Sequence, residues 1–188
     1  MSFDYSAAFS RNIGWVTKDE QQILRSKRVA IAGLGGVGGN HLLTLIRMGI
    51  GDFHIADLDT FDVPNFNRQV GATVSTLGQS KLDVMTRQAL DINPELGIKG
   101  FADGVTTDNL EAFLDGVDLY VDSLDFFALQ ARRQVFAACA RKGIPAITAA
   151  PLGMGAAVLI FPPGGMGFEE YFRFEDGPEA EMPLRFLM

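Results

Sequence analysis

The chain has 188 residues, of which 47% are hydrophobic and 21% charged, and its formal net charge of −7 argues against nucleic-acid binding through a broad basic face. It contains no apolar run of the about eighteen residues that a membrane-spanning helix needs, and the N-terminus lacks the pattern of a signal peptide, so we expect a cytoplasmic protein. The single cysteine, Cys139, excludes an internal disulfide and a cysteine-only zinc site.

Strands and helices alternate along the chain. Thr17 and Glu20 form a capping-box pattern, which predicts a short helix before the first strand, RVAIAG. The remaining predicted elements are a helix over 40–48, the strand DFHIAD, a helix over 78–92, the strand IKGFA, a helix at TDNLEAFL capped by Thr107, the strand VDLYVDS, a helix at FFALQARRQVFAACARKG closed by Gly143, and the strands PAITAAP and GAAVLIF. This alternation predicts an α/β fold with a Rossmann-like, doubly wound, mainly parallel sheet and helices on both faces.

Composition divides the chain into three parts. We expect an N-terminal helical segment at 1–27, a sheet-bearing core at 28–161 and a C-terminal segment at 162–188 rich in Gly, Pro, Phe and Glu. The last part ends in the apolar PLRFLM without a stop signal, which leaves open whether the chain continues. Its phenylalanines at 168, 172 and 174 predict either a partner-docking surface or an ordinary amphipathic segment.

The motif GLGGVGG follows the first strand and precedes a helix. Gly33, Gly35 and Gly38 fit the dinucleotide fingerprint, in which glycines let the backbone approach phosphates at a helix N-terminus. Asp57 ends the second strand, where an acid can hydrogen-bond ribose hydroxyls. The pattern predicts a nucleotide site for NAD, FAD or ATP, and the alternative is a glycine-rich turn without a ligand.

Two cations, Arg68 and Lys81, follow Asp57, with Asn65 and Asn67 as neutral donors. A dehydrogenase needs no cations here because the helix N-terminus already holds its pyrophosphate. A protein that uses ATP as a reactant must stabilise charge on the α-phosphorus and on the departing pyrophosphate. The two cations therefore favour ATP, unless they are solvated surface charges.

Four motifs in order, GLGGVGG, DLDTFDVPNFNRQ, GQSK and VDSLD, resemble those of the ThiF/MoeB/HesA family, the adenylating relatives of the ubiquitin-activating E1 enzymes. The resemblance covers about residues 11–161 and implies that the core is an ATP-binding adenylation domain, that ATP and Mg are its cofactors, and that it acts as a homodimer. The implied reaction is attack of a carboxylate on the α-phosphorus of ATP, which gives an acyl-adenylate and pyrophosphate. The implied substrate is the C-terminus of a small ubiquitin-like or sulfur-carrier protein.

The resemblance also implies roles for the matched residues. The implied nucleotide-binding residues are Gly33, Gly35, Gly36, Gly38, Asp57, Asp59, Asn65, Arg68, Gln69 and Lys81. The implied catalytic residues are Arg68, Lys81, Asp125 and Arg11. Asp125 would bind Mg²⁺, with water and phosphate completing the octahedron, and its alternative role is an N-cap before the next helix. Arg11 would reach the ATP site of the neighbouring subunit.

The chain departs from the family pattern in three ways. It lacks the two CxxC pairs that bind structural zinc in many relatives, and Cys139 lies on an apolar helix face, where we expect core packing instead of a thioester. Phe126 stands where many relatives have Asn, so that Phe126 and Phe127 predict a more apolar adenosine side or an altered substrate. His41 and His54 receive no catalytic role.

Three alternative functions stay open. One is an NAD-dependent oxidoreductase, which the glycines and Asp57 would also suit. Another is a relative that activates a carboxylate on a modified tRNA base of the threonylcarbamoyladenosine type, which the acidic net charge disfavours. The third is a nucleotide-binding module without catalysis.

Overall fold

Parallel strands form the centre of the fold and helices cover both of their faces. The structure, a computed structural model, describes residues 3–174 and 181–187. The strands are β1 Arg28–Ala32, β2 Asp52–Ala56, β3 Gly97–Phe101, β4 Leu119–Asp122, β5 Ala146–Leu152 and β6 Gly155–Phe161. The α-helices are α1 Tyr5–Ala8, α2 Lys18–Arg25, α3 Gly38–Arg47, α4 Lys81–Ile92, α5 Leu110–Phe113, α6 Leu129–Lys142, α7 Phe168–Tyr171 and α8 Met182–Leu187. Among the described helices, none is long and apolar enough to cross a membrane.

The strands lie in the order β3-β2-β1-β4-β5-β6, and all neighbouring pairs are parallel except β5 with β6. The predicted doubly wound, mainly parallel sheet is therefore confirmed. The chain passes from β1 outward through β2 and β3, and then returns to place β4 on the other side of β1. This reversal creates a switch point beside the carboxyl ends of β1 and β4, which is where open α/β sheets bind ligands.

The antiparallel hairpin of β5 and β6 extends beyond the rest of the sheet. β4 pairs with β5 only through Ala146–Thr148, where Asp122 lies opposite Thr148. Residues 149–152 of β5 pair with β6 alone. The outer half of this hairpin is thus supported on one side only.

Alternating side chains of β1 bury into two separate cores. Val29 and Ile31 pack into a cluster formed with α3 and α4, which includes Leu42 and Met85. Ala30 and Ala32 face a second cluster, to which α5, α6, α7 and α8 contribute. Period-two burial on a central strand is expected when helices cover both faces of a sheet.

The ends of several helices test the sequence predictions directly. The predicted capping box of Thr17 and Glu20 is present at α2, and α6 ends at Gly143 in the left-handed conformation, as expected. The predicted cap at Thr107 is wrong, because α5 begins at Leu110 and Asn109 precedes it. Asn109 instead bonds the backbone amide of Thr106 and the carbonyl of residue 104, which closes the turn before the helix.

Phenylalanines of the C-terminal segment complete the second core. Phe168, Phe172 and Phe174 are buried, and the ring of Phe168 stacks on Phe136 of α6 at 4.3 Å. The partner-docking surface considered for these three residues is therefore wrong. Cys139 is buried in the same cluster, as predicted, and burial raises the pKa of its thiol to about 12.

The N-terminal segment is attached to the far end of α3. The Tyr5 hydroxyl donates to the carbonyl of Gly49 at 2.6 Å, and the Gln21 amide donates to the carbonyl of Met48 at 2.9 Å. Asn12 donates to the carbonyl of Arg47 at 3.1 Å. Residues 5–21 are thereby held at the end of α3 that lies opposite the glycine turn.

Candidate functional site

A cavity of about 670 Å³ lies at the carboxyl edge of the sheet, next to the switch point. Its volume is within the usual range of small-molecule sites. Its walls come from the turn after β1, the loop after β2, the start of α4, the loop after β4 and the β5–β6 hairpin. Five separate parts of the chain therefore converge on one space. The four sequence motifs account for the first four of them, and the contribution of the β5–β6 hairpin was not predicted.

The glycines of the turn serve two different purposes. Gly33 has a φ of 90°, and a Cβ there would overlap the backbone of Ser123, while a Cβ at Gly38 would overlap the carbonyl oxygen of Gly33. These two glycines are required by the packing of the chain itself. At Gly35 and Gly36 the nearest atoms to an added Cβ are the Gln69 amide at 3.5 Å and Arg68 Cγ at 3.3 Å, so the fold tolerates a side chain better there. Both line the cavity, which leaves their backbone open to a ligand.

Asp57 ends β2 with its carboxylate against the glycine turn. Its Oδ2 accepts from the Leu34 amide at 2.6 Å and its Oδ1 accepts from the Asp59 amide at 2.9 Å. Burial raises the pKa of the Asp57 carboxyl above its usual value, while the two amides and the charge of Lys81 oppose this shift. The carboxylate is fixed in place at the cavity wall, where it can accept hydrogen bonds from a ligand hydroxyl.

Lys81 and Arg68 bring two positive charges to the cavity in different ways. Lys81 begins α4 with a buried side chain, 8% exposed, whose Nζ lies 3.0 Å from Asp59 Oδ2. Arg68 is exposed, and its guanidinium donates to the carbonyl of Pro64 at 2.8 Å. Both residues line the cavity, so a polyanion bound there would face a fixed ammonium and a guanidinium at its rim.

Polar atoms without protein partners concentrate at this cavity. Among the described residues, four buried side-chain atoms lack a hydrogen-bond partner, and three of them, Gln69 Oε1, Ser123 Oγ and His41 Nδ1, belong to residues that line the cavity. The fourth is Gln21 Oε1 of α2. Burial also lowers the pKa of His41, which favours its neutral form. Buried polar atoms are normally satisfied, so this cluster is consistent with a polar ligand in the cavity.

The loop after β4 carries Asp125 to the cavity. Its Oδ1 accepts from the Phe127 amide at 3.0 Å, which closes a turn, but the N-cap of α6 is Ala128 and the alternative role of Asp125 as that cap is wrong. Among the described residues, no group of three or more His, Cys, Asp and Glu side chains is placed to hold a metal ion. Mg²⁺ fits Asp125 nonetheless, because this ion usually takes one or two carboxylates together with phosphate and water.

A buried ion pair that the sequence analysis missed holds this loop in place. Arg132 Nε donates to Asp122 Oδ2 at 2.8 Å, and the two side chains are 4% and 1% exposed. Arg132 Nη2 also donates to the carbonyls of Leu124 at 2.6 Å and of Asp125 at 3.3 Å. Thr148 of β5 adds a hydroxyl bond to Asp122 Oδ2 at 2.8 Å. The conformation of the Asp125 loop thus depends on one arginine of α6.

The structure brings most of the predicted site residues together. Those that line the cavity are Gly33, Gly35, Gly36, Asp57, Asp59, Arg68, Gln69, Lys81 and Asp125. Gly38, Asn65 and Arg11 do not line it. Asn65 Oδ1 accepts from the Asp62 amide and stabilises the turn at Val63–Asn65. Arg11 is exposed in the short helix Ser10–Asn12, beside the C-terminal end of α3.

Comparison with known proteins gives consistent relatives. The tRNA threonylcarbamoyladenosine dehydratase of Bacillus subtilis is 35% identical over 150 residues, which are 79% of this chain and 57% of that protein. The sulfur carrier protein ThiS adenylyltransferase of Escherichia coli is 29% identical over 148 residues, which are 79% of this chain and 58% of that protein. The chain therefore spans little more than half the length of these curated relatives.

A solved structure supports the same relationship. The crystal structure of the E. coli tRNA N6-threonylcarbamoyladenosine dehydratase in complex with ATP superposes with a TM-score of 0.73 at 26% identity and covers 82% of this chain and 69% of that one. The family model described as "ThiF family" matches residues 9–184, which includes the whole sheet and every residue of the cavity. This chain belongs to the ThiF family.

Proposed function

We propose that this protein uses ATP to adenylate a carboxylate. The observation that carries the proposal is the convergence, on one cavity at the switch point, of an exposed glycine backbone, the fixed Asp57 carboxylate, the cations Arg68 and Lys81, and Asp125. Each group suits a different part of ATP. The carboxylate suits the ribose hydroxyls, the backbone amides and the two cations suit the phosphates, and Asp125 suits the accompanying Mg²⁺.

In the proposed reaction, a carboxylate oxygen attacks the α-phosphorus and forms a new P–O bond. The bond from the α-phosphorus to the oxygen bridging it to the β-phosphate breaks, and pyrophosphate leaves with the electron pair. Lys81 and Arg68 stabilise the charge that develops on these oxygens, and they are already oriented by Asp59 and by the Pro64 carbonyl. Mg²⁺ held through Asp125 would neutralise part of the same charge. The protein supplies position and charge, as is usual in reactions at phosphorus.

The carboxylate is proposed to be the C-terminus of a small ubiquitin-like or sulfur-carrier protein, or of a peptide. The similarity to the ThiS adenylyltransferase of E. coli supports a protein carboxylate. The similarity to the threonylcarbamoyladenosine dehydratase of B. subtilis supports a second candidate, a carboxylate on a modified tRNA base. The net charge of −7 favours the protein or peptide, because tRNA binding relies on phosphate contacts with cations.

The position of Arg11 supports the proposed homodimer. Asn12 is bonded to the C-terminal end of α3, whereas the cavity lies at its N-terminal end. The ten residues of α3 separate these two ends by about 15 Å. Arg11 is thus badly placed to serve the site of its own chain, and we propose that it reaches the site of a second copy.

Exchange of labelled pyrophosphate into ATP tests the adenylation step. With the correct carboxylate present, we expect Arg68→Ala and Lys81→Ala to lower the exchange rate by about a hundredfold or more, because each removes a charge at the phosphates. The controls Arg141→Ala and Lys18→Ala remove exposed cations that do not line the cavity. Equal exchange in all four variants, or binding of NAD in preference to ATP, would contradict the proposal.

Mixing two inactive variants tests the dimer. In a two-fold dimer with Arg11 acting across the interface, Arg11→Ala and Lys81→Ala chains form hybrids with one intact site each. Random mixing should therefore restore about a quarter of the native exchange rate. A mixture that stays as inactive as its components, or that sediments as a monomer, would refute the cross-subunit role.

A further inference from the structure

A second cavity of about 380 Å³ adjoins the proposed ATP site. The two cavities share a wall made by the loop after β4, including Leu124 and Phe126, and by residues 149–151 of the β5–β6 hairpin. β6 separates the two cavities, because its consecutive residues face different sides: Ala156 lines the first cavity and Ala157 lines the second. A group bound in the second cavity would therefore lie next to the proposed ATP site.

The lining of the second cavity is mainly apolar. Leu159, Tyr171, Phe172 and Phe186 contribute to it, together with the shared wall. Aromatic and branched side chains of this kind favour an uncharged, apolar occupant. For scale, a dry apolar cavity of about 150 Å³ is large enough to bind benzene, so this one can hold an aromatic ring and the atoms attached to it.

The two charged residues at the base of this cavity leave no net charge for a ligand. Asp122 and Arg132 are paired with each other at 2.8 Å. Arg132 also donates to backbone carbonyls, and its guanidinium lies 4.7 Å from the centre of the Phe186 ring. Asp122 accepts from Thr148 as well. A charged substrate group would meet a neutralised pair here, whereas an apolar group would gain by leaving water.

Resting on the proposed function, we propose that the second cavity receives the side chain of the residue that carries the adenylated carboxylate. That side chain is large and apolar, and the substrate class is a peptide or protein ending in such a residue. A C-terminal glycine would leave the cavity unfilled and gain nothing from its lining. The cavity thereby selects against tails that end in glycine, and the apolar ring of Phe126 in its wall favours the same choice.

Non-hydrolysable acyl-adenylate analogues test this substrate class on the full chain. We would titrate AMP and three acyl-sulfamoyladenosines by calorimetry, with N-acetylphenylalanyl, N-acetylglycyl and N-carbamoylthreonyl groups. We expect the phenylalanyl analogue to bind at least about tenfold more tightly than the glycyl analogue, and both to bind more tightly than AMP. In Ala157→Leu, whose added atoms enter the second cavity, the ratio of phenylalanyl to glycyl affinity should fall towards one.

Control variants and the remaining outcomes separate this inference from the function on which it rests. Ala112→Leu adds the same three carbons on an exposed residue of α5 that lines neither cavity, and it should keep the native ratio. Thermal unfolding without ligand checks that both variants fold. Equal affinity for the phenylalanyl and glycyl analogues, with both tighter than AMP, overturns the apolar substrate and leaves adenylation standing. Tightest binding of the carbamoylthreonyl analogue overturns it in favour of a tRNA base, and analogues no tighter than AMP overturn both proposals.

Discussion

Breaking the buried pair of Arg132 and Asp122 should destabilise the protein strongly. In Arg132→Met the Asp122 carboxylate would stay 1% exposed and lose its countercharge. Removing one partner of a buried ion pair typically costs about 3 to 5 kcal/mol. Asp122 keeps the Thr148 hydroxyl at 2.8 Å and a weaker bond from the Leu124 amide, so we expect the lower part of that range, about 3 to 4 kcal/mol. For a chain of this size the melting temperature would fall by about 6 to 16 °C.

Urea unfolding of a double-mutant cycle measures this cost. Asp122→Asn removes the unpaired charge, so the double variant should be about 1 to 2 kcal/mol more stable than Arg132→Met alone. Arg141→Met, an exposed arginine on the same helix, serves as the control and should change the unfolding free energy by less than about 0.5 kcal/mol. The reasoning fails if Arg132→Met costs less than about 1 kcal/mol, or if the double variant is no more stable than the single one.

Further predictions concern Asp57, the glycine turn and the buried Cys139. Burial raises the pKa of Asp57, so the carboxylate becomes protonated at a higher pH than an ordinary aspartate does. As the pH is lowered, AMP affinity should therefore begin to fall at that higher pH. Asp57→Asn should flatten this pH profile, while the exposed control Asp91→Asn should leave it unchanged. The same raised pKa means that the carboxyl contributes stability below its unfolded pKa and that this contribution is lost as pH rises through the folded pKa, which urea unfolding at several pH values checks. Gly38→Ala should unfold the protein or lower its free energy of unfolding by more than about 3 kcal/mol. Gly36→Ala should stay folded but bind ATP more weakly. Thermal unfolding and calorimetry measure the two effects, and the opposite ranking of the variants would contradict the separate roles of these glycines. Cys139, with a pKa of about 12, should react with a disulfide reagent at pH 8 only in urea, and fast reaction of the folded protein would contradict its burial.

The parts of the fold that depend on local sequence were predictable. Strand and helix positions follow from short apolar runs, from the Thr17–Glu20 capping box and from Gly143, because each of these features acts within a few residues. The position of the cavity was predictable too, since parallel strands place their carboxyl ends at one edge of the sheet. The convergence of Asp57 and Lys81 on that edge therefore followed from the order of the motifs.

Contacts that form only when separate elements pack together were not predictable in the same way. Arg132 and Asp122 are ten residues apart across a loop, and nothing local marks that arginine as buried. Arginines on a helix usually face solvent. Arg132 is buried because α6 packs beside the end of β4, where Asp122 lies. The second cavity was missed for the same reason, since its lining joins β6 to Phe172 and Phe186 of the C-terminal segment.

The outer half of the β5–β6 hairpin forms part of the wall between the two cavities, called the partition here, and it is supported by fewer neighbouring strands than the rest of the sheet. Residues 146–148 of β5 pair with β4 on one side and with β6 on the other. Residues 149–151, which form the partition, pair with β6 alone. Segments with fewer neighbours exchange their amide hydrogens through smaller openings than the centre of a sheet does. We therefore expect the partition to adjust to acyl groups of different shape while the glycine turn and Asp57 stay in place. Under the proposed function, acyl specificity would then change without loss of nucleotide binding.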